Sequence, residues 1–322
     1  AYASTILAGI MAFLIAALIV PLLAAADGRA PVEEGAMLEP FLRMDIPPVL
    51  SIMSALATAF IFGLGISATG AVTLKSVFEE GRDVIEKLLV SVIIPLLPFY
   101  IAGVFAELAA AGTVFETLKT FGIVLLLSVA LHWVWIGVLY ILAAIKSGQS
   151  PLGLINNMLP CYFTALGTMS SAATIPVTLN CARKNKVREA IASFSVPLCA
   201  TVHLSGSTIT IVSCAVAVMV LSDGLAMPSL LTMLPFIFML GLVMLAAPGV
   251  PGGAVMAAVG LLGSMLGFDE TAIALMIALY MAQDSFGTAC NVTGDGAIAV
   301  LVDSAAGDVG RSESPERARA SS

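Results

Sequence analysis

The chain is 322 residues long, 59% hydrophobic and only 11% charged, with a formal net charge of −7; its mean hydropathy is +1.05. Those values exclude an ordinary soluble globular domain, and the acidic balance gives no basis for a nucleic-acid partner. Several apolar runs exceed the roughly 18 residues that mark a membrane-spanning helix, so the chain reads as an all-α polytopic membrane protein.

In chain order, the first run begins at Ile6 and others centre on 50–72, 89–112, 121–145, 191–222, 230–265 and 271–302. The first four fit single spans at 4–26, 44–72, 89–112 and 120–145. Eleven of the 14 Lys and Arg residues lie between spans or after them. They are Lys75, Arg82 and Lys87, then Lys146, then Arg183, Lys184, Lys186 and Arg188, and finally Arg311, Arg317 and Arg319. The positive-inside rule places the 73–88, 146–150 and 181–190 loops and the C-terminus in the cytoplasm, with the acidic 27–45 connector outside. Cys161, Cys181, Cys199, Cys214 and Cys290 show no paired or metal-type spacing and read as small packing residues. No signal peptide is recognisable and the first residue is Ala1, so preceding sequence is expected.

From residue 150 the apolar stretches are interrupted by Pro151, Pro160, Pro176, Pro197, Pro248 and Pro251. Broken backbone at membrane depth is tolerated where it is buried in protein or lines a cavity. A weak internal repeat accompanies these breaks. Residues 151–182 form two short apolar halves around a small-residue tip, and a broken span at 191–222 follows. Residues 230–266 repeat the idea around Pro248-Gly-Val-Pro-Gly-Gly253, followed by a broken span at 271–303. Two re-entrant hairpins, each paired with a discontinuous helix, are the signature of an inverted-repeat secondary transporter. This divides the chain into peripheral and scaffold-type helices (1–145), a transport core (146–303) and a disordered tail (304–322).

Within the last span Asp284, Thr288, Asn291 and Asp295 recur at i, i+4, i+7 and i+11. At roughly 100° per residue they fall within about 60° of one another, on one helix stripe. Carboxylates at bilayer depth need a polar cavity to face. Three further motifs converge with this one. Ser170-Ser-Ala-Ala-Thr-Ile-Pro176 offers hydroxyls and free amide N–H groups to a carboxylate, although a helix-packing face would look similar. Thr201-Val-His-Leu-Ser-Gly-Ser207 is a polar break whose carbonyls suit a cation, or a packed kink. Gly249-Val-Pro-Gly-Gly253 suits a mobile lid, or an ordinary loop.

These motifs resemble, in order and spacing, the dicarboxylate/amino acid:cation symporters, which include glutamate and neutral amino-acid transporters. The residues that carry the resemblance are Ser170-Ser-Ala-Ala-Thr-Ile-Pro-Val-Thr178, Pro197-Leu-Cys-Ala-Thr201, Gly249-Val-Pro-Gly252 and Asn291-Val-Thr-Gly-Asp295. The resemblance implies a glutamate-transporter-like fold of eight spans and two hairpins, with this chain beginning at the third span. It also implies a homotrimer in the plasma membrane, with the second-half unit moving as an elevator. Asp284 would hold a substrate amino group and Asn291 its α-carboxylate, with Ser170, Ser171, Val250 and Gly252 on the carboxylate side. Asp295 would bind sodium with the carbonyls of Cys199, His203 and Asn291, and the Thr201 carbonyl would serve a second sodium.

The departures from the family pattern set the substrate expectation. Members selective for acidic substrates carry an arginine at the position of Met169 or Gly287. Its absence would leave a dianionic amino acid with an unpaired buried charge. A small neutral amino acid such as serine or threonine is therefore expected, with room at Gly287 and Thr288 and a hydrogen bond from Ser207. Ser205 stands where well-coupled members have an aspartate, so a third cation site should be weak. His203 leaves proton coupling open. His132 receives no role. A sodium- or proton-coupled dicarboxylate or acidic amino-acid symporter is the alternative. No catalytic role is expected: an intramembrane aspartyl protease needs its carboxylates roughly 3 Å apart, and eleven helical residues hold Asp284 and Asp295 about 16 Å apart. A channel would need a ring of selectivity carbonyls or charges, and none is evident.

Overall fold

A computed structural model describes residues 1–26, 49–50, 52–110, 112, 114–222 and 224–310. Within them the chain is helical throughout, with no strand. The acidic connector and the tail beyond residue 310 lie outside the described residues.

Helix α1 (Tyr2–Ala26) carries Ala8, Ala12 and Ala16, all fully buried at successive i+4 positions. This small-residue stripe lets α1 lie directly against α9 and α10. At Gly9 a Cβ would already sit 2.9 Å from both Ile237 Cγ2 and Thr208 Cγ2.

Helix α2 (Ile52–Thr69) turns at Gly70, whose φ of 64° suits glycine, into α3 (Val72–Leu88). The expected 73–88 loop is therefore a helix. Its charges pair along one turn, as in Lys75–Glu79 at 3.6 Å, and apolar Val77, Val84 and Ile85 complete an amphipathic surface. A π-helical turn (Leu89–Ile93) joins α3 to α4 (Ile94–Ala110). Pro95 supplies the reason: it has no N–H for the carbonyl one turn back, and the ladder widens there. The 89–112 span is thus the continuation of a 39-residue helical stretch, Val72–Ala110. Helix α5 (Val114–Ser147) is 34 residues long. Gly148, at φ 68°, ends it.

The remaining helices form two hairpins and two broken helices. In the first hairpin, α6 (Pro151–Thr168) starts with proline in its first turn and α7 (Ser171–Lys184) is capped by Ser170, whose Oγ accepts from the Ala173 N–H at 3.2 Å. Helices α8 (Glu189–Val202) and α9 (Ser205–Leu221) are separated by His203 and Leu204. Every residue of α9 from Ser205 to Met219 is buried, so it is the central post of the molecule. The second hairpin comprises α10 (Leu230–Met244) and α11 (Gly253–Leu266). Helix α12 (Glu270–Met281) meets α13 (Asp284–Gly310) at a 60° bend over two residues.

Helix α13 packs against α5 to α9. Its helical run to Gly310 means that 304–310, read from sequence as disordered tail, continues the last helix. Arg188 Nε meets Asp303 Oδ1 at 2.7 Å and ties the α7–α8 loop to that end of α13. Packing does not follow the boundary drawn at residue 145 either. Helix α1 lies against α9 and α10 and α5 against α9 and α13, whereas α3 makes its main contacts with its neighbours in sequence.

Among the described residues, four helical stretches are by length and composition apolar and long enough to cross a membrane, and the bent α12–α13 pair makes up to a fifth. The protein is a multi-pass membrane protein.

Candidate functional site

The break between α8 and α9 leaves the first amide N–H groups of α9 without helical partners, as at any helix start. Asn291 on α13 supplies the acceptor. Its Oδ1 takes the N–H of Gly206 at 2.7 Å and of Ser207 at 3.3 Å, and its Nδ2 donates to Ser207 Oγ at 2.9 Å. Because backbone N–H groups only donate, this network fixes which amide atom is the oxygen. The two helices meet through paired glycines. A Cβ on Gly206 would collide with the Gly287 carbonyl oxygen and lie 2.6 Å from Cys290 Cβ.

The other face of the Gly206–Ser207 peptide is held as well. His132 Nε2 lies 3.1 Å from Gly206 O and 3.1 Å from Thr210 Oγ1. One peptide unit therefore receives a bond from α5 on its carbonyl and gives one to Asn291 from its N–H.

Asp284 is the first residue of α13 and is buried. Its Oδ2 accepts the Gly252 N–H at 2.7 Å and its Oδ1 accepts the Tyr280 hydroxyl at 2.8 Å. Gly252 has φ 75°, so this tip position suits glycine. The two hairpin tips also touch: Ser170 Oγ donates to Gly249 O at 2.7 Å.

These groups surround one cavity of about 1110 Å³. Tyr280, Asp284, Thr288 and Asn291 line one wall; Thr201, Leu204 and Ser207 come from the broken helix. Met169, Ser171 and Ala172 represent the first hairpin, Leu245 to Val250 the second, and α3 closes the far side with Phe78, Arg82 and Glu86.

Asp295 stands apart, 1% exposed and behind this cavity. Its Oδ1 lies 2.9 Å from His203 Nδ1, and His203 Nε2 lies 2.9 Å from Ser4 Oγ on α1. A neutral imidazole satisfies both contacts, donating to the carboxylate and accepting from the serine. The four-residue stripe is thus real but divided. Both carboxylates sit in one uninterrupted helix, as far apart as their spacing requires.

The structure brings Ser171, Thr201, Ser207, Val250, Asp284, Thr288 and Asn291 to the cavity wall. Ser170 and Gly252 contribute to its closure through the tip contacts. Cys199 lies one turn before the break, and its carbonyl accepts the His203 N–H at 2.8 Å. Gly287 is placed differently from expectation. It does not line the cavity, and a Cβ there would lie 3.1 Å from Thr210 Oγ1. Its missing side chain serves the close approach of α9 and α13 instead of leaving room for a ligand.

Five residues escaped the sequence reading, among them His132, whose hold on the Gly206 carbonyl depends on a partner 74 residues away. Tyr280 stands four residues before Asp284, and a tyrosine hydroxyl inside an apolar run signals a buried partner. Ser4, Gly206 and Arg82 are partnered or placed by tertiary packing and carry no local signal. Arg82 sits on the cavity's far wall with its guanidinium 3.0 Å from Asp83.

Comparison with known proteins agrees with this architecture. The sodium:dicarboxylate symporter family matches residues 1–305. An excitatory amino acid transporter 1 of Ambystoma tigrinum is 29% identical over 236 residues, 71% of this chain and 42% of that protein. A serine/threonine transporter of Acinetobacter baylyi is 29% identical over 269 residues, 80% of this chain and 66% of its own length. A neutral amino acid transporter B(0) of Bos taurus is 27% identical over 254 residues, 76% of this chain and 46% of that protein. The chain therefore spans less than two thirds of the length of these relatives. Taken with the paired hairpins and broken helices around one cavity, the match over nearly the whole chain shows that it belongs to the sodium:dicarboxylate symporter family, a family of transporters.

Proposed function

We propose that the protein is a sodium-coupled secondary active symporter of a small neutral amino acid, serine- or threonine-like, working by an elevator movement of its hairpin-bearing core. The observation that carries this reading is the pairing of a buried carboxylate, Asp284, with a buried amide, Asn291, on one wall of one cavity. An α-amino acid presents an ammonium and a carboxylate, and these two groups complement them. Ser207 accepts from Asn291 and lines the same cavity, where its hydroxyl can meet a substrate hydroxyl. Ser171 and the Val250–Gly252 tip stand on the carboxylate side.

The coupling ion is placed at Asp295 with the carbonyls of Cys199, His203 and Asn291, and a second at the Thr201 carbonyl facing the Ala246–Pro248 end of the lid. Hard cations take oxygen ligands of this kind from unwound helix. Closure of the second hairpin only when ion and substrate are both present would give coupling through differential binding. The charge of the loops puts the C-terminus on the cytoplasmic side, and the family resemblance supports a plasma-membrane homotrimer.

One observation favours a second reading, an acidic amino acid or dicarboxylate. Arg82 lines the same cavity, 202 positions before Asp284 in sequence. It is paired with Asp83 and shares its wall with Glu86, so it brings no uncompensated positive charge, and the neutral reading is preferred.

Uptake into proteoliposomes separates the two. Serine, threonine or alanine should accumulate under an inward sodium gradient, and Asp284→Asn should abolish it. Aspartate or succinate uptake without serine or alanine uptake, lost in Arg82→Gln, would establish the second reading. Transport indifferent to sodium but driven by an inward proton gradient would overturn the ion assignment.

A further inference from the structure

We propose that Tyr280 is a positioning residue for amine recognition, its hydroxyl setting the orientation of the Asp284 carboxylate that meets the substrate ammonium. This rests on the reading of Asp284 given above.

Tyr280 is fully buried in the last turn of α12 and lines the cavity. Its Oη donates to Asp284 Oδ1 at 2.8 Å. The two residues are four apart, but the chain bends 60° between them. The bond therefore spans the α12–α13 joint and fixes the first residue of α13 to the helix before it. Gln283 Nε2 reinforces the joint by donating to Leu279 O at 3.2 Å.

A carboxylate offers about four acceptor sites. Tyr280 occupies one on Oδ1, and the Gly252 N–H occupies one on Oδ2. These donors hold opposite ends of the group, so together they fix its plane and leave the other sites for an ammonium. They differ in what carries them. Gly252 belongs to the hairpin tip, which departs whenever the lid opens. Tyr280 belongs to the packed core and stays. With the lid open, Tyr280 is the donor that keeps Asp284 in the geometry an incoming ammonium needs, and an oriented acceptor costs less to engage than a free rotor. A phenylalanine would fill the same volume and lose the hydroxyl alone, with its bond to Asp284 and its contact with Ser207.

The test compares two ligands that differ in the ammonium alone, serine and its α-hydroxy analogue glycerate, by equilibrium binding to the purified full chain in lipid nanodiscs with sodium. The wild type should prefer serine. In Tyr280→Phe, serine affinity should fall about tenfold, the order expected for a hydrogen bond to a charged group. Glycerate affinity should stay within about twofold, so the preference collapses while the sodium midpoint is retained. General damage would weaken both ligands together, and that result overturns the proposal, as does an unchanged preference. A double-mutant cycle guards against indirect effects: in an Asp284→Asn background, Tyr280→Phe should leave the remaining preference untouched, and a further loss there also overturns it. A wild type that does not prefer serine removes the reading of Asp284 itself, and this proposal with it.

Discussion

Asp284, Asn291 and Asp295 share a stripe, yet each is held by a different kind of partner: a hairpin-tip amide, the amides of a helix start, and an imidazole. That division gives the glycines around them distinct costs. Gly206→Ala drives a methyl into the Gly287 carbonyl, and overpacking of that kind costs about 1–3 kcal/mol. Gly63→Ala, on α2 with nothing within 4 Å, should be neutral or slightly stabilising. Thermal melting of the two variants should differ in that direction, and equal melting would sink the close-packing account. The stripe was legible because the helical period is local and survives in α13 without interruption. Gly287 was misjudged because sequence shows that a side chain is absent but not which neighbour occupies its direction. Ser4 and Tyr280 were invisible for related reasons, one partner lying 199 residues away and the other lying across a bend.

At the scale of elements, proline and glycine mark the second hairpin tip at Pro248–Gly252, but Pro160, Pro176 and Pro197 lie inside helices and the breaks fall at His203–Leu204 and Ala282–Gln283, where neither residue occurs. The charges of α3 hid a helix, because Lys75, Arg82 and Lys87 among acids look like a solvated loop until their i,i+4 pairing is counted. The hairpin tips depend on one hydroxyl. Ser170 caps α7 through the Ala173 N–H and at the same time holds Gly249 O. Ser170→Ala loses both, and a cap alone is worth about 0.5–2 kcal/mol. Modification of a Val250→Cys reporter by a small thiol reagent should therefore speed up several-fold in Ser170→Ala and stay near the parent rate in Ser170→Thr. Equal rates in all three would show that this contact does not restrain the tip. His132 grips the same functional region from α5. Its loss in His132→Leu frees the peptide that Asn291 holds, whereas His132→Gln keeps a donor. Substrate affinity should drop in the first variant and largely survive in the second, and a similar drop in both would refute the peptide-holding role.

For the whole molecule, the packing suggests where an elevator would divide. Helices α1 and α5 precede the residue-145 boundary drawn from sequence, but the contacts of α1 with α9 and α10 and of α5 with α9 and α13 place them with the hairpins. Helix α3 shares with the hairpins the lining of the cavity, to which Phe78 and the Leu245–Pro248 segment both contribute. A moving body made of α1, α5 and α6 to α13 should tolerate cross-links within itself and fail when tied to α3. Lys146 at the end of α5 and Lys186 in the α7–α8 loop line one cavity of about 470 Å³, so Lys146→Cys with Lys186→Cys can be bridged by a short bifunctional thiol reagent. Phe78→Cys with Ala246→Cys provides the contrasting pair across the larger cavity. The five native cysteines are buried, which favours selective bridging of exposed pairs. Sodium-driven uptake should persist after the first bridge and stop after the second, returning when a cleavable linker is cut. Loss of uptake from the Lys146–Lys186 bridge would instead place α5 with the static part, and uptake that survives the Phe78–Ala246 bridge would argue against relative movement across this cavity.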